Sequence, residues 1–436
     1  MLMLAIAVLL LADASLASPQ DQHHPSPQQP HEHAAASEPE PPPAHEASGT
    51  AWVPSFSPMY GFHRTASGWD FMVHGNVFAQ FLYESGEEHR RSQQFGSINW
   101  LMGMGSRSAG GGRLSARAML SFEPWTIGGC GYPNLTATGE ICRGDSIHDL
   151  QHPHDLFMEL ALAYERPLAP NLRWHVYGGP VGEPALGPVA FPHRLSGFPN
   201  PVAPTTHHWL DSTHITFGVV TAGFSGPRWR VEGSVFNGRE PDSDRTDLDL
   251  AGLDSFSGRV SLTPTARLSL QASAGRLREA ESGLGSLPPT DIDRVTASVM
   301  YHRPFGSGGI LALTAAYGVN SKQSVVPGAI LDQATHAGLL EGSAIFAERQ
   351  TFFGRIELVG KPAHDLHIHE HITSVFTVGK LQGGYIRHLG PMNGLLAGIG
   401  GSVSAALVPP LLAPRYGGRI APGAGVFVTI RPTANP

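Results

Sequence analysis

Charge is scarce in this chain. Only 15% of its 436 residues are charged, and lysine occurs only at Lys322, Lys361 and Lys380. Soluble domains usually carry about a quarter charged residues, so the composition does not describe an ordinary water-facing surface. A basic excess is missing too: 29 Lys and Arg stand against 36 Asp and Glu, a net charge of -7. That balance excludes the usual profile of a nucleic-acid binder. Apart from Leu2 to Leu11 there is no long apolar run, so the chain is not a helical membrane protein. Phosphate-binding loops, dinucleotide fingerprints and H-E-x-x-H zinc motifs are also absent. Cysteine is limited to Cys130 and Cys142, close together among Gly and Pro. Their spacing predicts one local disulfide and an oxidising compartment.

Glycine (52), proline (37) and histidine (23) are what the chain has in quantity. The start reads as a secretory signal over residues 1–17, an apolar run followed by Ser15-Leu16-Ala17. It departs from the usual pattern because the first basic residue is Arg64. Residues 18–66 are rich in Pro, His, Glu and Gln with few large apolar side chains. Such a stretch buries too little surface to offset chain entropy and is expected to be a disordered arm. Its His23, His24, His31, His33 and His45 suit either a weak metal collector or a plain polar tether.

From Trp69 the pattern changes to period two. Phe71, Val73, Val77, Ala79, Phe81 and Tyr83 share one face, and His74, Asn76 and Gln80 the other. Similar alternation recurs in Arg113–Glu123, Leu156–Glu165, Arg267–Ala274, Arg294–Tyr301 and Arg355–Leu358. Each such segment predicts a long strand with one apolar and one polar face. About sixteen are present, with the length of a tilted strand crossing a bilayer. Connections alternate between short turns, as at Ala109-Gly110-Gly111, Pro167–Pro170 and Thr263-Pro264-Thr265, and long loops such as 124–154, 180–212 and 361–371. Short turns on one rim and long loops on the other predict an all-β, transmembrane, up-and-down antiparallel β-barrel over residues 67–436. A soluble sandwich gives no reason for that alternation.

Residues 69 to 431 resemble a Gram-negative outer-membrane β-barrel of the porin-like kind. The last strand, Gly425-Val426-Phe427-Val428-Thr429-Ile430, resembles the terminal strand read by the barrel-assembly machinery, with Ile430 near the place of the usual terminal Phe. The resemblance implies outer-membrane lipid, that machinery and small solutes as partners, and no nucleic acid. It matches no characterised family closely enough to carry over functional residues.

If the apolar face meets lipid, Arg113, Arg117, Glu159, Arg173, Arg230, Arg259, Arg267, Arg294, Glu341, Arg355 and Glu357 face the lumen. The two signs roughly balance, which suits Arg–carboxylate bracing of the wall better than strong ion selectivity. A barrel of this size leaves a water-filled space unless a loop folds inward. Loop 180–212, stiffened by Pro and Gly, is the candidate for doing so. Histidines collect in the long loops. His152, His154 and Asp155 form one possible metal trio. His193, His207 and His208 lie in the inward loop. His364, His367, His369 and His371 fall together in loop 361–371; His367 and His369 alternate with Leu366 and Ile368, so in an extended chain they share a face with Asp365 and His371. These are candidate ligands for copper or zinc, with solvated surface histidines as the alternative.

The reading is an outer-membrane channel for small solutes, not an enzyme, with a link to transition-metal handling as a further expectation. Its alternative is a metal-binding surface protein on a plugged barrel. A third class, a barrel-embedded hydrolase using Ser146 and His214, rests on short motif matches alone.

Overall fold

The computed structural model describes residues 45–87, 90–281, 289–306, 308–324, 333–371 and 373–434. The signal and the arm as far as residue 44 lie outside the described residues. Sixteen antiparallel strands, from Trp69–Glu84 to Ile420–Pro432, close into one barrel. Each pairs with its neighbours along the chain, and the last joins the first from Gly423↔Glu84 to Ile430↔Val77. Closure leaves no unpaired sheet edge, which is what hydrocarbon demands of a spanning sheet.

The alternation read from the sequence sets the two faces. In Trp229–Phe236 every second residue is exposed, so Trp229, Val231 and Val235 point out while Arg230, Glu232 and Ser234 are buried. Val403, Leu162 and Ile399 are likewise exposed, at 67%, 62% and 58%. Such surface is stable only against lipid. Aromatic pairs girdle the short-turn rim: Tyr164 with Trp174, Phe305 with Phe346, and Phe352 with Tyr385. The barrel therefore spans a bilayer. Two turns lie slightly later than expected. The strands Phe157–Ala169 and Ser255–Thr265 continue through Pro167 and Pro264 before turning, because an outward-twisting strand end tolerates a missing N–H.

The interior differs more from expectation. Three segments fill it. Residues 183–215 leave the strand Leu172–Gly182 at the long-loop rim, fold into the lumen, and return to the strand Thr216–Ser225. Nearly all of them are buried. The disulfide-linked hairpin of Tyr132–Cys142 and Asp145–Gln151 packs in beside them. Residues 45–57, assigned from the sequence to the disordered arm, also run inside the wall, and Phe62–Ala66 pairs with the first barrel strand. Ordering there corrects the boundary at 66: few of these residues are large and apolar, but wall arginines hold their polar groups.

Around these segments the lumen has its own apolar packing. Phe78, Ile98, Phe353, Ile386 and Phe427 of the wall close on Tyr132 of the hairpin and Val202 of the inward loop. Nearer the long-loop rim, Trp209 and Leu135 pack with Val359, Phe376 and Val378.

Candidate functional site

A buried irregular loop must satisfy every backbone polar group without a ladder of its own. Here the wall supplies the partners. Arg294 donates to the His208 carbonyl (2.7 Å), Arg355 to that of Val202 (2.7 Å) and Lys361 to that of Thr205 (3.1 Å). Glu357 accepts from both the amide and the hydroxyl of Thr206 (3.0 and 2.9 Å). Ser234 and Ser273 accept the amides of Ala185 and Gly187 (2.7 and 2.9 Å). The N-terminal segment is held similarly. Arg230 donates to the Thr50 carbonyl (2.8 Å), Arg259 to the Thr50 hydroxyl (2.9 Å), and Arg117 to the Gly49 carbonyl and Glu46.

The tightest joint is Arg194. It belongs to the inward loop and is wholly buried. It donates to Asp211 of the same loop (2.5 Å) and to Glu341 of the wall (3.1 Å). Arg355 takes the other Glu341 oxygen (2.9 and 2.8 Å), and Ser196 adds a bond at 2.9 Å. Gly197 lies so close to the Glu341 carboxylate that a side chain there would collide with it. Buried charges this well paired are costly to break singly, because the partner is left without compensation.

The eleven side chains expected on the lumen divide into two groups. Arg113, Arg173 and Arg267 are exposed at the short-turn rim, where Arg173 pairs with Glu165 at 3.0 Å. Arg117, Glu159, Arg230, Arg259, Arg294, Glu341, Arg355 and Glu357 point inward and are buried, none more than 7% exposed. A water-filled space would leave such residues accessible, so at their level the lumen is filled by protein. All three lysines are inside as well. Lys322 pairs with Glu281 (2.6 Å) and Asp365 (3.1 Å), Lys380 with Glu84 (2.6 Å), and Lys361 lies over the Trp209 ring at 4.3 Å.

Histidines from two segments far apart in sequence meet near the long-loop rim. His207 and His208 come from a one-turn helix, His207–Leu210, in the inward loop. His152 follows the hairpin, and a ring nitrogen of each lies within 4.8 Å of the others. His214 and His154 extend the group, with ring centroids 5.1 Å from His207 to His214 and 5.4 Å from His214 to His154. Oxygens fix the rings through Nδ1: His207 on Asp211 (2.8 Å), His208 on Glu240 (3.2 Å), His152 on the Pro153 carbonyl (3.1 Å), and His154 on Glu123 (2.8 Å). The hairpin backbone at Gly139, with φ +130°, lies against the His208 ring, where a Cβ would collide. Burial lowers the pKa of His207 to about 4 and of His208 to about 3, so both rings are neutral at pH 7. Burial opposes charge on His154 too, but Glu123 outweighs it and raises that pKa.

The other candidate ligands separate. His154 and Asp155 do not form a trio with His152: one is bound to Glu123 and the other faces Arg245 (3.4 Å). His193 packs on Trp100 (4.9 Å) and His74 (5.9 Å). The expected common face of His367, His369 and His371 with Asp365 does not form. The chain there turns, with φ +53° at His367 and a 3-10 turn over His369–His371. Asp365 is drawn inward to Lys322 while His364 stays beside it (2.6 Å). His367 faces His148 at 4.3 Å, and His371 lies 6.4 Å from Phe376. Ser146 lies in the hairpin, whereas His214 bonds through Nδ1 to the Asp211 carbonyl (2.8 Å), and no hydrogen bond among the described residues joins the two. Sequence reasoning missed Glu140, Glu240 and Asp211. Only Asp211 carried a local signal, four residues after His207 and so on one face of a helical turn.

No protein-family model matches the sequence, and no curated protein matches it either. Solved structures do. An anion-selective porin from Comamonas acidovorans superposes with a TM-score of 0.50 at 12% identity, over 83% of this chain and 99% of that one. OmpF of Salmonella typhi, solved with daunomycin, gives 0.51 at 8% identity, over 85% and 100%. At such identities the likeness is one of fold. With the closed sheet and apolar belt, it gives this chain the porin-like fold, a closed β-barrel that spans a membrane.

Proposed function

We propose that the protein is an outer-membrane channel for small solutes that its own chain holds closed, residues 183–215 acting as the plug. The observation that carries this reading is the wall chemistry behind the plug. Arg294, Arg355 and Lys361 bond directly to plug carbonyls, so the same groups that seat the plug become a hydrated wall once it leaves. The buried wall charges are also unequal. Cationic are Arg117, Arg230, Arg259, Arg294, Lys322, Arg355, Lys361, Lys380 and Arg431, against Glu84, Glu159, Glu232, Asp291, Glu341 and Glu357. That is nine against six. Plug carbonyls and the Glu46 carboxylate offset the excess in the closed state, and an open lumen would favour small anions.

The test is a planar bilayer recording under a salt gradient. The intact protein is expected to show mostly closed records with discrete openings, and a reversal potential on the anion side. A second reading, a permanently sealed scaffold, is favoured by the apolar packing of Tyr132 and Val202 against five wall side chains. It predicts an intact barrel with no openings at any voltage.

A further inference from the structure

We propose that His152, His207 and His208 bind a divalent transition metal ion of the zinc class, with the fourth position left to water. The ion would staple the hairpin to the plug.

Three features argue for a metal over a chance gathering of rings. First, the donors come from segments far apart in sequence, yet one nitrogen from each histidine lies within 4.8 Å of the others. Secondly, every ring is oriented from behind. Nδ1 of each is engaged with an oxygen from Asp211, Glu240 or Pro153, which leaves Nε2 toward the common space. Metal-bound histidines are held in this way, the rear acceptor fixing both tautomer and direction. Thirdly, the Nε2 atoms of His152 and His208 are buried and have no hydrogen-bond partner among the described residues. A buried nitrogen lone pair left so is costly unless something else fills the role. His152 Nε2 is 3.2 Å from Glu140 Oε1, but the two are not aligned as a hydrogen bond. That carboxylate is held on its other oxygen by Arg245 and lies outside the group of three nitrogens, so it is a neighbour of the site and not a donor to it.

Three imidazoles and a water suit tetrahedral zinc, and imidazole also suits copper and nickel. In a tetrahedral zinc site nitrogen donors stand about 3.3 Å apart. Binding would therefore draw the rings together by up to about 1.5 Å, a movement of side chains and not of the wall. The consequence rests on the closed-channel reading. His152 directly follows the hairpin, and His207 and His208 belong to the plug. An ion shared among them would favour the seated plug by mass action.

The experiment uses the full-length protein refolded in detergent, equilibrated with ZnCl2 and dialysed, with zinc then measured by mass spectrometry. One zinc per chain is expected. Two variants should lose it: His152→Gln alone, and His207→Gln with His208→Gln. Both are checked by heat-shifted gel mobility for a folded barrel. Two guards keep the result interpretable. The variant His367→Ala with His369→Ala removes exposed rings and should keep its zinc. Cobalt(II) should give the intense visible absorption of a tetrahedral site in the wild type only. No zinc retained by the folded wild type would overturn the proposal, as would full retention by either Gln variant. Conductance is recorded separately. A conducting protein without zinc would reject the metal and leave the channel standing, and a barrel that binds zinc yet never opens after a chelator has removed it would do the reverse.

Discussion

Two long connections carry most of the loop histidines, and they behave differently. Residues 183–215 go down into the barrel, where wall arginines and serines take up their backbone groups. Residues 363–371 stay at the rim, where His367 and His369 have few partners and Glu370 pairs outward with Arg415 (2.6 Å). Each carries four histidines, but the rim connection is much the shorter. What separates them is how each is seated. The inward loop meets complementary charges at each step, whereas the rim loop is pinned by Ala363, Leu366 and Ile368 in an apolar cluster and by Asp365 on Lys322, and leaves His369 and His371 exposed. A loop becomes a plug when the barrel interior can replace the water its backbone gives up.

The largest effect should come from cutting the plug's main joint. Arg194→Ala strands Asp211 and weakens Glu341, at about 3–5 kcal/mol. A thermal melt of the refolded barrel should fall clearly, and closed records should become leaky. An unchanged melt would mean that the joint holds nothing. The disulfide comes next. Replacing Cys130 and Cys142 with Ser releases the hairpin that covers the plug, at about 2–4 kcal/mol. The same loss should follow from reductant in the wild type, and no difference between oxidised and reduced melts would contradict it.

Gly139→Ala is a finer probe of the hairpin–plug contact. Its φ of +130° and the adjacent His208 ring together make a side chain cost about 1–3 kcal/mol. The histidine resonances of the plug should shift by NMR, while those of His367 and His369 stay put. The rim loop supplies the smallest effect. His367→Ala with His369→Ala should leave the melting temperature and conductance nearly unchanged, within about 0.5 kcal/mol. A large loss there would erase the distinction between the two loops.

The barrel was legible because its rule is local. Arg230 to Phe236 alternate in sequence as they alternate in space, and the loop lengths mark the two rims. The inward course of the loop after Gly182 was legible in its Pro and Gly content. The partners of that loop were not, since Arg194–Glu341 and Trp209–Thr335 join positions far apart in the chain. The same limit explains the histidines. His367, His369 and His371 looked like a set because they alternate, but a turn at His367 disperses them. His152 joins His207 and His208 across the lumen, where no spacing rule reaches. The ordered stretch 45–57 escaped notice because its own residues are small and polar, and the groups that hold it belong to the wall.

The most direct measurement compares two proteins in the same bilayer: the intact chain, and one with residues 184–213 replaced by a short Gly-Ser linker. The account predicts that the intact protein is closed for most of the record. The shortened one should conduct steadily, with time-averaged conductance raised by more than about tenfold, since a barrel of this size encloses a channel when nothing fills it. An intact protein that is steadily open, with no gain on removing the loop, would contradict the plug.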